Sequence, residues 1–510
     1  GEENLSYKQT NKGYRSVYFE AVANWARTFG KHDLSAMFLF QQSQKNYVGE
    51  SANNSEKALP YRHQGIAGRI TYNYDNRYFV EGNFGYNGSE NFSPNHRFGF
   101  FPSIAVGYVV SNEKFFAPIR DVVSMVKLKA SYGLVGNDQI GGDRRFIYNE
   151  TVIGGGKYYF GTTPSQYTSV RLGEFPNPNV GWEKAKKLNL GADLSFFNQL
   201  NISVDYFKEN REGIFLQRKS IPMYVGLSTK PWVNIGKMRN SGIDASLEYH
   251  QPLGKDLHLT VRGNFTYARN RIMDQDEPDY AYTYMNHSGQ MQWQKFGLVA
   301  AGLFQDQEDI DSWAKQSFGE VKPGDIKYLD LNGDGIVDNY DTKPIGYSDI
   351  PEIVYGFGFS LQWKAFDLSA FFQGVAHVSF STLTDQTQAF VGRNLKESSV
   401  FADLYGNTWT PENPGAKYPR MTTGAIDNNN QLSTFWMANG RYLRLKNLEL
   451  GYTLPKRIAN KIAMQSLRVY LSGVNLFTFS PFKLWDPDLQ TGATNYPNNR
   501  IINLGLTIGF

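Results

Sequence analysis

The chain has 510 residues, enough for two or three ordinary domains or one very large one. Aromatics make up 15% of it and glycines number 49, yet mean hydropathy is −0.46, a mixture too aromatic for disorder and too polar for a helical membrane protein. Lys plus Arg (52) nearly balance Asp plus Glu (48), no basic block argues for a nucleic-acid partner, and the absence of cysteine removes disulfides and thiolate metal sites.

No run approaches the roughly 18 to 20 apolar residues of a transmembrane helix. A transmembrane β-barrel hides its membrane signal in alternation, so low average hydropathy suits it. The opening Gly-Glu-Glu-Asn-Leu-Ser carries no initiator Met, signal peptide or lipidation motif, so an exported barrel implies further residues upstream.

In chain order, alternating segments predict strands over 16–28 and 33–44, then 65–74 and 77–86 with a turn at Asp75-Asn76. Strands follow over 98–110 and 126–135, separated by one helical turn within 113–120. A long loop, 136–181, leads to 187–196, where Leu188, Leu190, Ala192 and Leu194 alternate with Lys187, Asn189, Gly191 and Asp193. Asn198-Gln199 is read as the turn into 201–208; strands 234–249 and 257–271 come next.

The longest insertion, 272–351, precedes strands 353–363 and 367–380. After the loop 381–440 come 442–454, with a β-bulge expected near Asn447, a short helix over 455–463, and strands 467–479 and 500–510. In the last strand Ile502, Leu504, Leu506, Ile508 and Phe510 form an apolar row against Asn503, Gly505, Thr507 and Gly509.

The count is about fifteen strands, and short and long connections alternate strictly, as in outer-membrane barrels with trimmed periplasmic turns and elaborated extracellular loops. The predicted fold is therefore an all-β, transmembrane antiparallel β-barrel. An odd count, in a class whose bacterial single-chain members are even-stranded, implies that the first strands lie outside this chain. The apolar parity is expected to face lipid, with Lys127, Lys129, Lys187, Asp193, Arg444 and Lys446 toward a wet lumen. Tyr206, Phe372 and Tyr452 read as interfacial girdle.

The sharpest motif is 330–341. Asp330, Asn332, Asp334, Asp338 and Asp341 occupy positions 1, 3, 5, 9 and 12, with Gly335 at 6 and the Ile336 carbonyl at 7. That is the spacing of an EF-hand-type calcium loop, with Asp in place of the usual bidentate Glu at the end. The shorter acid suits a weak, structural site filled from extracellular calcium; an uncoordinated Asn-Gly-rich turn is the bland alternative.

Aromatics crowd the long loops. Trp232, Tyr284, Trp293, Trp313, Trp409, Trp436 and Trp485 are the residues expected to touch substrate, against the alternative that such rings pack on one another or on a partner. No nucleophile elbow, His-Glu-x-x-His or phosphate loop is present, so no enzyme is expected.

Several stretches carry a resemblance. They are Phe98-Gly-Phe-Phe-Pro-Ser103, Leu128 to Asp138, Asn177-Pro-Asn-Val-Gly-Trp-Glu-Lys184, Asn234 to Ile243, Pro323-Gly-Asp-Ile-Lys-Tyr328, Phe366 to Gly374, Tyr442 to Asn447, Leu467 to Ser472 and the terminal Phe510. In this order they resemble the C-terminal half of SusC-like (RagA-like) TonB-dependent outer-membrane transporters of Bacteroidetes. The resemblance implies a 22-stranded barrel whose first strands, plug domain and TonB box precede this chain. It also implies a dimer of transporter pairs, each capped by a SusD-like lipoprotein lid, and TonB-driven import of an oligosaccharide or peptide. Phe510 would be the signal read by the barrel-assembly machinery. The competing reading is a passive or structural barrel within a larger surface complex.

Overall fold

The computed structural model describes residues 7–49, 55–140, 144–162, 165–227, 229–384, 387–388, 401–422, 424–492 and 495–510. The opening Gly-Glu-Glu-Asn-Leu-Ser lies outside the described residues. No described helix is long and apolar enough to cross a membrane.

Fifteen strands form one antiparallel sheet in which each neighbours the next in chain order. They are β1 (Lys12–Phe29), β2 (His32–Gly49), β3 (Tyr61–Tyr74), β4 (Tyr78–Ser89), β5 (Phe98–Val109), β6 (Val123–Asn137), β7 (Glu183–Phe196) and β8 (Leu200–Gln217). The rest are β9 (Trp232–Pro252), β10 (Leu257–Asp274), β11 (Ile353–Trp363), β12 (Phe366–Ala376), β13 (Tyr442–Thr453), β14 (Ser466–Phe479) and β15 (Ile501–Gly509).

Register keeps the two faces distinct. Ile66 lies opposite Tyr86, Tyr86 opposite Phe100 and Ile104 opposite Tyr132, whereas Thr71 lies opposite Glu81 and Asn83 opposite Ser103. Directly opposed residues project to the same side, so each face inherits one parity of every strand. In β15, Ile508, Leu506 and Leu504 meet Leu467, Val469 and Leu471, and Thr507 and Asn503 meet Arg468 and Ser472.

Turn chemistry explains the tight links. Asp75 and Asn76 adopt φ of 54° and 51°, and the Arg77 N–H donates to the Tyr74 carbonyl at 2.9 Å. The next such turn sits one residue earlier than expected, on Phe197 and Asn198 (φ 54° and 55°). There the Gln199 N–H donates to the Phe196 carbonyl at 2.9 Å, so Gln199 ends the turn instead of shaping it.

Another boundary also moves. The expected strand over 367–380 stops at Ala376 because His377 takes φ of 52°, and Ser379–Ser381 instead pairs with Met437–Asn439. The bulge in β13 is present, with the register shifting between Leu445 and Asn447. The two short helices appear as Lys114–Ile119 and Lys456–Ala459, the latter extended by Asn460–Ile462.

The chain divides into two compact units. One comprises Gly1–Leu194, Asp205–Ser241 and Met273–Pro278; the other comprises Ser195–Val204, Gly242–Ile272 and Asp279–Phe510. Each has its own small hydrophobic core, the second built from connections and the first from connections together with Phe215 of β8 and Trp232 of β9. In the first, Phe92, Ile140, Ile147, Val180 and Phe215 pack with Trp182 and Trp232. In the second, Leu298, Leu303, Ile326, Tyr328, Val337, Leu404, Trp409, Tyr418 and Trp436 pack together.

Candidate functional site

The second unit's core is a folded assembly of two long connections. Short strands brace the first: Lys295–Gly297 pairs with Lys343–Ile345, Ala300–Leu303 with Ile326–Tyr328, and Lys315–Gln316 with Ile336–Val337. Asp325, fully buried, joins it to the second connection. Its carboxylate meets Arg420 Nε at 2.8 Å and accepts from Asn429 Nδ2 at 2.9 Å. Asn429 Oδ1 in turn accepts the Ile326 N–H, Asn428 Nδ2 donates to the Ile326 carbonyl, and the Tyr328 hydroxyl donates to the Asn428 carbonyl. A buried carboxylate held by a guanidinium and an amide leaves little freedom to the segments it ties.

The 330–341 segment hangs from this core by Val337, which is fully buried. Asp330 accepts the N–H groups of Gly333 and Gly335 at 2.7 and 2.8 Å, and Gly333 and Gly335 take φ of 78° and 84°. Asp334 and Asp338 accept the N–H groups of Ile336 and Tyr340, and Asn332 accepts that of Asp334. Asp341, also fully buried, accepts from the N–H groups of Leu331, Asn332 and Asp338. The backbone is thus wound by its own side chains, which is how the alternating oxygens fold a tight loop. Among the described residues no three acidic or imidazole side chains converge as metal ligands. The Tyr284 hydroxyl donates to the Tyr340 carbonyl at 2.7 Å; its pKa is raised by burial and then by the carboxylates of Asp341, Asp330 and Asp334.

Of the expected substrate aromatics, Trp409 and Trp436 share the second unit's core, and all but one are engaged within the fold. Trp232 stacks on Phe215 at 5.2 Å, with the Arg144 guanidinium 4.0 Å from its ring. Trp313 donates to the Tyr328 carbonyl, Trp436 to the Asn429 carbonyl and Trp485 to the Gln490 carbonyl. Trp409 is 9% exposed and lies against Gly324, whose φ of 89° and lack of Cβ admit the indole. Tyr284 stacks on Tyr282. Trp293 differs from all of these: it is 61% exposed and its backbone is left-handed, φ 66°. A bulky residue held there is strained, and such strain clusters at ligand-contacting positions.

Charges line the polar face. Lys129 meets Asp193 at 2.9 Å and Asp205 at 3.2 Å, and Lys187 meets Glu209 at 3.2 Å. Arg468 holds Asp367 and Glu449 together. Arg444, 2% exposed, binds Asp486 and Asp488 and so fixes the last long connection to β13. Arg269, Glu352 and His377 form a further cluster, Glu352 being 4% exposed. Sequence reading assigned Lys129, Asp193 and Arg444 to this face but could not supply Asp486, Asp488 or Glu352, which come from connections without a period.

A family model described as "TonB dependent receptor-like, beta-barrel" matches residues 2–476. The chain belongs to the TonB-dependent receptor-like β-barrel family. It is 28% identical over its whole length to the TonB-dependent receptor P3 of Formosa agariphila, covering 53% of that protein. Against the TonB-dependent receptor SusC of Bacteroides thetaiotaomicron it is 27% identical over 87% of its length, covering 43%. The chain thus spans about half the length of the curated relatives it matches. Among solved structures, the RagAB peptide transporter superposes with a TM-score of 0.75 at 21% identity, over 98% of this chain and 56% of that one.

As a TonB-dependent receptor-like barrel, the chain resides in the outer membrane and crosses it repeatedly. Its apolar parity and its charged parity lie on opposite faces of the sheet. The ring contacts Tyr74–Tyr78, Tyr78–Tyr108, Trp363–Phe366 and Phe366–Tyr452 cluster beside the short turns. Phe510 follows β15 and is 81% exposed.

Proposed function

We propose that this chain forms part of the barrel of an active importer that takes an oligosaccharide or peptide nutrient across the outer membrane, driven by TonB. A SusD-like lipoprotein lid closes its outer face, two such pairs dimerise, and the barrel-assembly machinery reads Phe510. The observation that supports the reading most is membership of the TonB-dependent receptor-like family together with a charged lumen row and long connections folded around their own cores. In this proposal the protein acts as a transporter and not an enzyme, a role that its membership of the TonB-dependent receptor-like family supports. The relative named SusC and the fold shared with the RagAB peptide transporter leave glycan and peptide both open as cargo.

The loop 330–341 takes calcium in this proposal, through the free lone pairs of Asp330, Asn332, Asp334 and Asp338 and the Ile336 carbonyl, with Asp341 closing the loop from its buried side. The spacing of these oxygens supports it.

One observation favours the alternative of a passive scaffold: six of the seven singled-out aromatics are engaged internally. The deciding experiment offers cells carrying the full-length receptor a mixture of neutral oligosaccharides and, separately, of tryptic peptides, and follows depletion by mass spectrometry. Import that stops when the proton-motive force is collapsed supports active transport. Equal depletion with and without the proton-motive force would sink it in favour of the passive barrel.

A further inference from the structure

A cavity of about 650 Å³ lies in the first unit, on the face of the sheet opposite the lumen row. Arg15, Gln42, Gln44, Arg62, Gln64 and Arg97 contribute to its wall. Register settles the side: Gln44 lies opposite Val17 and Arg62, Gln42 opposite Phe19 and Gln64, and Arg15 opposite Asn46. Residues two apart on a strand share a face, so Arg15, Gln42, Gln44, Arg62 and Gln64 continue the row of Phe40, Ile66, Tyr86 and Phe100 that faces lipid, whereas Arg97, one residue before Phe98 of that row, belongs to the other parity. The cavity therefore opens on the outside of the sheet.

Its height follows from the same strands. Arg62 is twelve residues along β3 from Tyr74, in the girdle beside the short turns. At about 3.3 Å per residue and a tilt of about 40° this is ~30 Å, past an apolar band of roughly 25 Å. It belongs to the end of the sheet bearing the long connections, at the level of the outer-leaflet headgroups.

The wall is cationic and under-committed. Arg62 donates from Nε to Gln44 Oε1 at 3.1 Å and from Nη1 to Glu90 at 3.5 Å, the outer limit of a hydrogen bond. Arg15 is exposed with no ion-pair or hydrogen-bond partner among the described residues. Two guanidiniums, Arg15 and Arg62, thus face one carboxylate, and the planar fork of arginine matches phosphate oxygens in pairs. Phe19 and Phe98, 53% and 44% exposed, supply apolar wall beside them. We propose that this outer pocket binds the phosphorylated headgroup of an outer-leaflet lipid, with Arg15 and Arg62 on the phosphate and Phe19 and Phe98 against the start of the acyl chains.

The test titrates the full-length receptor in detergent with phosphatidylglycerol and with phosphatidylcholine and reads bound lipid by native mass spectrometry. Wild type should prefer the anionic lipid. A basic residue near a charged bilayer surface contributes roughly a fivefold factor, so Arg15→Gln with Arg62→Gln should cut the preference at least about tenfold. Arg15→Gln alone breaks no contact of the fold and should lose about fivefold. Arg69→Gln, on the lumen parity of β3, should keep the wild-type preference. Unchanged preference in both Arg15 variants overturns the proposal. So does an equal loss in Arg69→Gln, or inorganic phosphate competing as strongly as the lipid, which would make the pocket a free-anion site.

Discussion

Trp293 and Trp409 carry the same side chain in opposite surroundings. Trp409 fills the core of the loop assembly and is seated on Gly324, so truncation to alanine removes a large buried ring and leaves a cavity. Trp409→Ala should cost about 3–5 kcal/mol of loop stability, read as faster proteolysis of the extracellular connections. Trp293 makes none of those contacts, and Trp293→Ala should change stability by less than about 0.5 kcal/mol. If Trp293 touches cargo, its variant should still lower uptake severalfold. Wild-type uptake in Trp293→Ala would remove it from the site, and lost protease resistance would make it framework. The sequence could not rank these indoles, because each is a tryptophan in a Gly- and Asn-rich loop; its partner, not its neighbours in the chain, decides its role. The same holds for Arg444. Its parity was readable, but Asp486 and Asp488 lie more than forty residues away.

At the scale of elements, long alternating strands were readable because two solvents select opposite parities, and the bulge in β13 betrayed itself by a parity slip. Shorter pieces were not. Val152–Phe160 and Ser165–Leu172 form a hairpin inside what reads as a loop, since Gly154, Gly155 and Gly156 break the alternation. The braces of two to four residues within 295–345 are too short to show any period. The 330–341 segment was readable by spacing alone, and the structure adds what its oxygens do within the chain. Asp330 closes two N–H groups and Asp341 three, so both maintain the loop before any cation is considered. Calcium should therefore tighten a loop already wound. In the full-length receptor, millimolar calcium is expected to slow cleavage within 330–341, and Asp330→Ala with Asp334→Ala should abolish that protection. Equal cleavage rates with calcium and with chelator in the wild type would argue against a bound ion. A loss of resistance in the variant that is independent of calcium would assign the carboxylates a purely structural role.

For the whole molecule, the alternation of short and long connections carries the expectation that the long ones face outward, and the absence of cysteine makes that testable residue by residue. Glu320 lies in the longest connection with a side chain 83% exposed, and Lys255 lies exposed in the short link between β9 and β10. Neither contributes to a core, so a cysteine at either place should leave the fold intact. With the long connections extracellular, Glu320→Cys should react with a membrane-impermeant maleimide on intact cells. Lys255→Cys should react only after the outer membrane is permeabilised, and the cysteine-free parent should give no background. The reverse pattern would invert the orientation and, with it, place the arginine pocket at the inner leaflet, where the lipid proposal would need different headgroups. Labelling of both sites on intact cells would contradict residence in the membrane. The measurement depends on neither cargo nor lid, so it tests the orientation on which the import proposal and the lipid pocket both rest without presupposing either.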